Sequence, residues 1–545
     1  MILFALASYG QTARAADADV SDADAAPRIV NIYNFIRNTD YRLQDAEARL
    51  YEATEHQVEL FAKHRLPVTW ALQYDALINP KYQELLKTRI GPRDEIGAWW
   101  ELPRQLVEAA GITWRGDHDW VSTANIAFSP GYTPEERRKL VDVYMAQFKQ
   151  VFVRYPRSVG SWYIDEVSLA YMSDRYGIVA SCNCKDQIGT DGYTLWGGYW
   201  NQAYYPSRLN AYMPAQSAAG QINVPVFRML GSDPIYQYGR AGAITSLEPV
   251  YGHAGGSPEW VDWFLNSLTQ TPCLAFGYAQ AGQENSFGWP AMSKGLQSQA
   301  ARLAELSRAG AIRVETLAES GEWYRRRFPL TPATSFVCLD DWRNEGRKTA
   351  WYNSRFYRAN LLWDAGTLSI RDLHRFDETR PSPVHDTALQ ASTLTCATLP
   401  VIEGRDPLSH ERAGAFPVLL GQDDTESELR ATGPPVVTQR GPDELFVSQP
   451  LRDGGDLTIV FEEDQMTCEL TVADGVGRKW ALDFVGQSDG PESVTASAAT
   501  FGSATGTYDV VLEPDCGTFQ RRDDGSVRIL SNAAGRITLN LGESR

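Results

Sequence analysis

Residues 159–181 read VGSWYIDEVSLAYMSDRYGIVAS, and the way this stretch divides decides the fold. Its first six residues, 159–164, are apolar enough for a buried strand and run into two adjacent carboxylates, Asp165 and Glu166. Residues 167–176 carry helical spacing and are closed by Gly177, after which 178–181 form another short apolar strand. A strand–helix–strand unit followed by a long loop predicts a β/α barrel, with its site on the loop side.

That loop brings together Tyr193, Trp196, Tyr199, Trp200, Tyr204 and Tyr205 with Asp191 and Asn201. Flat rings beside hydrogen-bonding groups suit a sugar, whose C–H face stacks on a ring while its hydroxyl edge needs polar partners. The same rings would equally serve as the core of a self-packed loop. A second polar and aromatic loop, AQAGQENSFGWP at 279–290, follows the apolar run 273–278.

Outward from there, apolar runs at 28–36, 67–74, 94–98, 224–230, 243–247 and 311–316 alternate with helical spacing. The expected fold is α/β, a (β/α)7-8 barrel over 28–330. From 331 to 545 the pattern changes to short period-two segments, an all-β region of the β-sandwich type with a division near 434–442. Twelve of the sixteen tryptophans lie before residue 330, so the ring-rich surface belongs to the barrel. Residues 1–27 read as a signal-like apolar segment and an Ala/Asp-rich linker, which predicts a secreted or periplasmic protein.

The chain has 545 residues, of which 43% are hydrophobic, enough for two or three cores. A net charge of −17 argues against nucleic acid as a partner, because phosphate binding needs a basic surface. It also favours a neutral carbohydrate substrate over an acidic one. No stretch approaches the roughly 18 apolar residues of an integral membrane span. The seven cysteines form no CxxC pair or Cys/His ligand spacing, so no metal or other cofactor is expected from them. Oligomeric state has no signature in the sequence.

The order of elements over 28–330, with Asp94-Glu95-Ile96-Gly97 on the third strand and 159–163 on the next, resembles the polysaccharide deacetylase superfamily and its glycosidase relatives of the family 38 and 57 type. The resemblance implies an irregular seven-stranded β/α barrel with a β-rich C-terminal part. Deacetylases of this kind hold a divalent metal with an Asp and a His-x-x-x-His pair. Here Asp94 stands in place of the first such histidine, and no histidine occurs between His64 and His118. The glycosidase relatives place their acid pair after strands four and seven, which matches Asp165 or Glu166 and Glu284.

Glycosidic cleavage needs one carboxylic acid and one carboxylate on opposite faces of the bond. The expectation is therefore a glycosidase with Asp165 or Glu166 as nucleophile or base and Glu284 as acid, with Glu248 in reserve. Trp99, Trp100, Trp196 and Trp200 are the stacking candidates; Asp191, Tyr205 and His253 are the hydrogen-bonding ones. Two alternatives stay open: a non-catalytic glycan-binding protein on a barrel scaffold, and a metal-dependent deacetylase.

Overall fold

Strand β1, Arg28–Ile36, is buried along nearly its whole length and mainly apolar because both of its faces are covered, as in a parallel sheet packed between helices and an interior. In the computed structural model the described residues are 26–239, 244–404, 412–421, 425–452, 454–472, 478–486 and 490–542. The signal-like segment, apart from residues 26 and 27, lies outside them.

Around β1 stand β2 (Thr69–Leu72), β3 (Glu95–Trp99), β4 (Ser158–Gly160) and β5 (Ala180–Asn183). In the loop after β5 lie β6 (Gln187–Thr190), β7 (Tyr193–Leu195) and β8 (Ala203–Tyr204), followed by β9 (Val226–Arg228), β10 (Gly277–Ala281) and β11 (Arg313–Glu315). The sheet order is β10-β1-β2-β3-β4-β5-β9-β8, with β11 beside β1. Every pairing is parallel except β8 against β9, so the strands curve into a nearly closed barrel whose C-terminal ends share one mouth.

Two expected strands differ. Strand β4 ends at Gly160, a position that needs glycine because a side chain there would collide with the Tyr33 hydroxyl and Cys182 inside the barrel. The run 243–247 makes no strand among its described residues, only the bridge of Ser246 to Ser232.

Antiparallel β-structure begins at Thr334–Cys338 and forms sheets of ten and eight strands. Strands such as Asp456–Phe461 alternate half-covered and buried positions, the period-two signal of a sheet with one face on a core. After entering the eight-stranded sheet at Val436–Arg440, the chain returns to the ten-stranded one with Trp480–Val485 and Val527–Leu530, so strands on both sides of 434–442 pair in one sheet. A short excursion, Leu394–Thr395, pairs in parallel with β7 on the barrel loop.

A buried ionic chain joins the two parts. Asp186, just past β5, receives Arg228 at 2.8 Å and also Arg358 from the antiparallel sheet, which clasps Asp372 with two bonds of 2.8 Å. His374 closes the chain on Asp372 at 3.1 Å. Trp200 lies flat on Trp351, with centroids 4.4 Å apart. Removing one member of such a network strands charge in a low-dielectric interior. Arg358→Ala is expected to cost about 3–5 kcal/mol, read as a clear fall in the thermal unfolding midpoint; an unchanged midpoint would refute the joining role of these ion pairs.

Candidate active site

The strand-end acids do not all reach the mouth. Because β4 stops at Gly160, residues 161–164 form an irregular link, and Asp165 becomes the N-cap of the helix Glu166–Tyr176, accepting the Ser168 amide at 2.9 Å. Its carboxylate is fully buried and also takes Ser129 Oγ and Arg137 Nη1, the latter at 3.3 Å. Glu166 is equally buried and faces His385 at 3.0 Å and the Ala211 amide at 3.3 Å. Both acids are tied to neighbouring loops.

A different group converges on the mouth. One residue past β1, Arg37 is 2% exposed, and its backbone is fixed from two sides. Its amide donates to Asn285 Oδ1 at 3.1 Å, while its carbonyl accepts Asn285 Nδ2 at 2.9 Å and the Tyr82 hydroxyl at 3.2 Å. Asn285 thereby ties the loop after β1 to the loop after β10 and sets its neighbour Glu284 in place. Gly282 makes the approach possible: its φ is +108° and a Cβ would lie 2.3 Å from the Tyr33 carbonyl.

Arg37 Nη2 stands 3.0 Å from Glu101 Oε2 and 3.1 Å from Glu284 Oε2, so one nitrogen serves both acids. Glu101, two residues past β3, also receives Trp99 Nε1 at 2.7 Å. Phe35 stacks on Trp99 at 3.7 Å, and Trp162 meets both rings edge-on. Asp40 stands 3.6 Å from Arg37 and 2.6 Å from Arg42, which in turn reaches Asp191 at 3.7 Å. Trp120 lies under both guanidinium groups, at 4.3 and 4.9 Å.

Burial pushes Glu284 up to about 7; Arg37 opposes the rise, and the charges of Asp191 and Glu101 add to it. Glu101 is raised for the same first reason, again against the pull of Arg37. For Arg37, burial works against the charge but the surrounding carboxylates outweigh it and hold the group cationic. Five polar atoms of this cluster have no hydrogen-bond partner in the protein: Arg37 Nη1, Glu101 Oε1, Glu284 Oε2, Trp120 Nε1 and Trp162 Nε1. Each buried group left so would cost about 1–3 kcal/mol, so the cluster is built to meet water or a polar ligand.

Of the expected residues, Glu284 and Asp191 belong to this cluster. Glu248 sits nearby, bound to Ser246 Oγ at 2.6 Å and Lys185 Nζ at 3.3 Å; its charge and that of Glu284 both act on Tyr251. Trp99 is buried and supports Glu101 rather than facing a ligand. Trp100 packs on Tyr144, Trp196 on Tyr238, Trp200 on Trp351 and Tyr205 on Tyr324, all within cores. His253 is exposed and bonds the Ile244 carbonyl at 2.9 Å. Arg37 and Glu101 were not among the expected residues, although each, like Glu284, is the first charged side chain after an apolar strand.

Cavities of 560 and 840 Å³ open elsewhere, the first at the N-terminal rim and the second where that rim meets the antiparallel sheets. The first is lined by partly exposed ion pairs such as Arg313 with Glu315, which solvent screens. The mouth, with its buried acids and unmet donors, is the stronger candidate for chemistry.

A divalent metal of the deacetylase kind does not fit these residues. Asp94 lies before β3, at the end away from the mouth, where it accepts the Val68 and Gly91 amides. At the mouth, a guanidinium that cannot lose its proton already stands between the two carboxylates. Among the described residues no group of three or more His, Cys, Asp or Glu side chains is arranged to hold a metal ion.

No family model matches the chain, and no curated protein does. Among solved structures, one from Parabacteroides distasonis described as a glycoside hydrolase/deacetylase is similar over 68% of this chain and 90% of its own, with 16% identity and a TM-score of 0.51. Polysaccharide deacetylases from Mycobacterium smegmatis and Pseudomonas aeruginosa PAO1 match 56% of this chain and 94% and 93% of theirs, each at 10% identity, with TM-scores of 0.36 and 0.33. The first of these likenesses establishes a shared fold. The expected O-glycosidase is corrected: the solved structure that shares the fold is described as a glycoside hydrolase/deacetylase, and Asp165 and Glu166 are engaged by Arg137 and His385. No helix among the described residues is long and apolar enough to cross a membrane.

The Glu166–His385 contact gives a pH test. Glu166 raises the His385 pKa above its ordinary 6.5, so the contact stabilises at pH below that value and weakens as pH rises through the shifted one. Protection from hydrogen exchange in residues 382–390, taken relative to the intrinsic rate at each pH, is expected to be greater at about pH 6 than at about pH 9, with the difference absent in His385→Ala. Equal protection at both pH values would contradict the assignment.

Proposed function

We propose that the chain is a carbohydrate-active enzyme that hydrolyses acyl substituents on a glycan, using Glu284 as general base and Arg37 as the fixed cation. The observation that carries this is Glu284 itself: a carboxyl pushed up to about 7 at the barrel mouth, sharing one guanidinium nitrogen with Glu101. A base titrating near neutrality combines a populated basic form with enough strength to take a proton from water.

In this scheme Glu284 takes a proton as a water oxygen bonds to the acyl carbon. Arg37 Nη1, which has no hydrogen-bond partner in the protein, donates to the developing oxyanion. The bond from the acyl carbon to the sugar oxygen then breaks, and the proton held by Glu284 passes to the departing alkoxide. Glu101, held by Trp99, keeps Arg37 oriented throughout. The likeness of the barrel to a glycoside hydrolase/deacetylase supports the substrate class, and the unmet polar atoms of the mouth support a hydroxyl-rich ligand.

Acetate release from a panel of acetylated neutral glycans is the test. The rate should rise with pH through about 7 as Glu284 loses its proton, level off above, and survive a chelator. Glu284→Gln is expected to lower kcat by about 100-fold or more. Release that is unaffected by this substitution, or abolished by the chelator, would overturn the proposal; binding without any release would favour a glycan-binding protein.

A further inference from the structure

Among the exposed large apolar side chains of the described residues, Tyr41 is the only aromatic ring, 45% exposed, and it stands four residues beyond Arg37. Chance exposure of a single ring needs no explanation, but this one is held in a fixed pose. His118 lies parallel to it, with centroids 4.7 Å apart and planes at 0°. Trp120 tilts against it at 6.1 Å and continues to the Arg37 guanidinium at 4.3 Å. An aromatic path therefore leads from solvent to the reactive cluster, and most of the ordering cost of its outer ring is met before any ligand arrives.

We propose that Tyr41, backed by His118, is a stacking subsite for a neutral pyranose unit of the glycan whose neighbouring unit lies in the mouth. A pyranose offers an apolar C–H face of about the size of such a ring. A polar partner for its hydroxyls lies on the same route: Asp191, whose side chain is 35% exposed. Exposed Asp117 and Asp119 flank His118 and disfavour a uronate there. The candidate rings of the long loop, Trp196, Trp200 and Tyr205, are buried in their own contacts, whereas Tyr41 is open to a ligand. The subsite rests on the deacylase proposal for its ligand class.

Binding can be separated from turnover by calorimetry with acetylated neutral oligosaccharides on Glu284→Gln, beside the same protein carrying Tyr41→Ala or Tyr41→Trp. The expected result is a Kd about tenfold higher with alanine and retained affinity with tryptophan. In the active enzyme, Tyr41→Ala should raise KM by more than it lowers kcat. A Tyr41-dependent Kd would support the subsite even if no acetate release were found, since that failure would fall on the chemistry alone. An alanine Kd equal to that of Glu284→Gln, no binding by any neutral oligosaccharide, or tighter binding of uronate chains would overturn it.

Discussion

The mouth of the barrel depends on one guanidinium placed between two buried acids. Glu101 and Glu284 could not both carry charge at so low an exposure without a cation beside them, and Arg37 supplies one that stays protonated. Arginine also brings a fork of donors, so that a single group spans both acids and still leaves Nη1 without a hydrogen-bond partner. The result is a carboxyl balanced near neutrality, with burial pulling one way and Arg37 the other.

Holding that balance requires the three strand ends to stay in register. Asn285 ties the loop after β10 to the backbone of Arg37, Trp99 holds Glu101, and the Phe35–Trp99 stack fixes the indole that does so. The aromatic loop after β5 then packs outward onto the antiparallel part, through Trp200 on Trp351 and the Asp186–Arg358–Asp372 chain. Rings that resemble a sugar platform in the sequence thus serve to join the two parts, while the acids of the helix start, Asp165 and Glu166, hold neighbouring loops.

Much of the barrel was legible because strands covered on both faces read as mainly apolar runs, as in Arg28–Ile36, where Asn31 and Asn34 are the polar residues among the buried ones. That rule fails where aromatic residues are buried without being in a strand. Trp162, Tyr163 and Ile164 extend the apolar run past Gly160, which moved the expected strand end to Ile164. Glu284 was found because it follows an apolar run closely. Arg37 and Glu101 stand in the same relation to β1 and β3, but a lone charge in a loop carries no sign of its partner, which lies far away in sequence. Their convergence is a product of closing the sheet. Asp94 shows the converse, an acid beside the right strand at the wrong end.

The ionisation of Glu284 tests this account most directly. Infrared titration of its carboxyl band, taken as the difference between the protein and Glu284→Gln, should show one carboxyl that keeps its proton to about pH 7 and disappears in the variant. A difference spectrum in which that carboxyl is already fully ionised by about pH 5, near the ordinary range for glutamate, would contradict the central place of the Arg37–Glu101–Glu284 cluster.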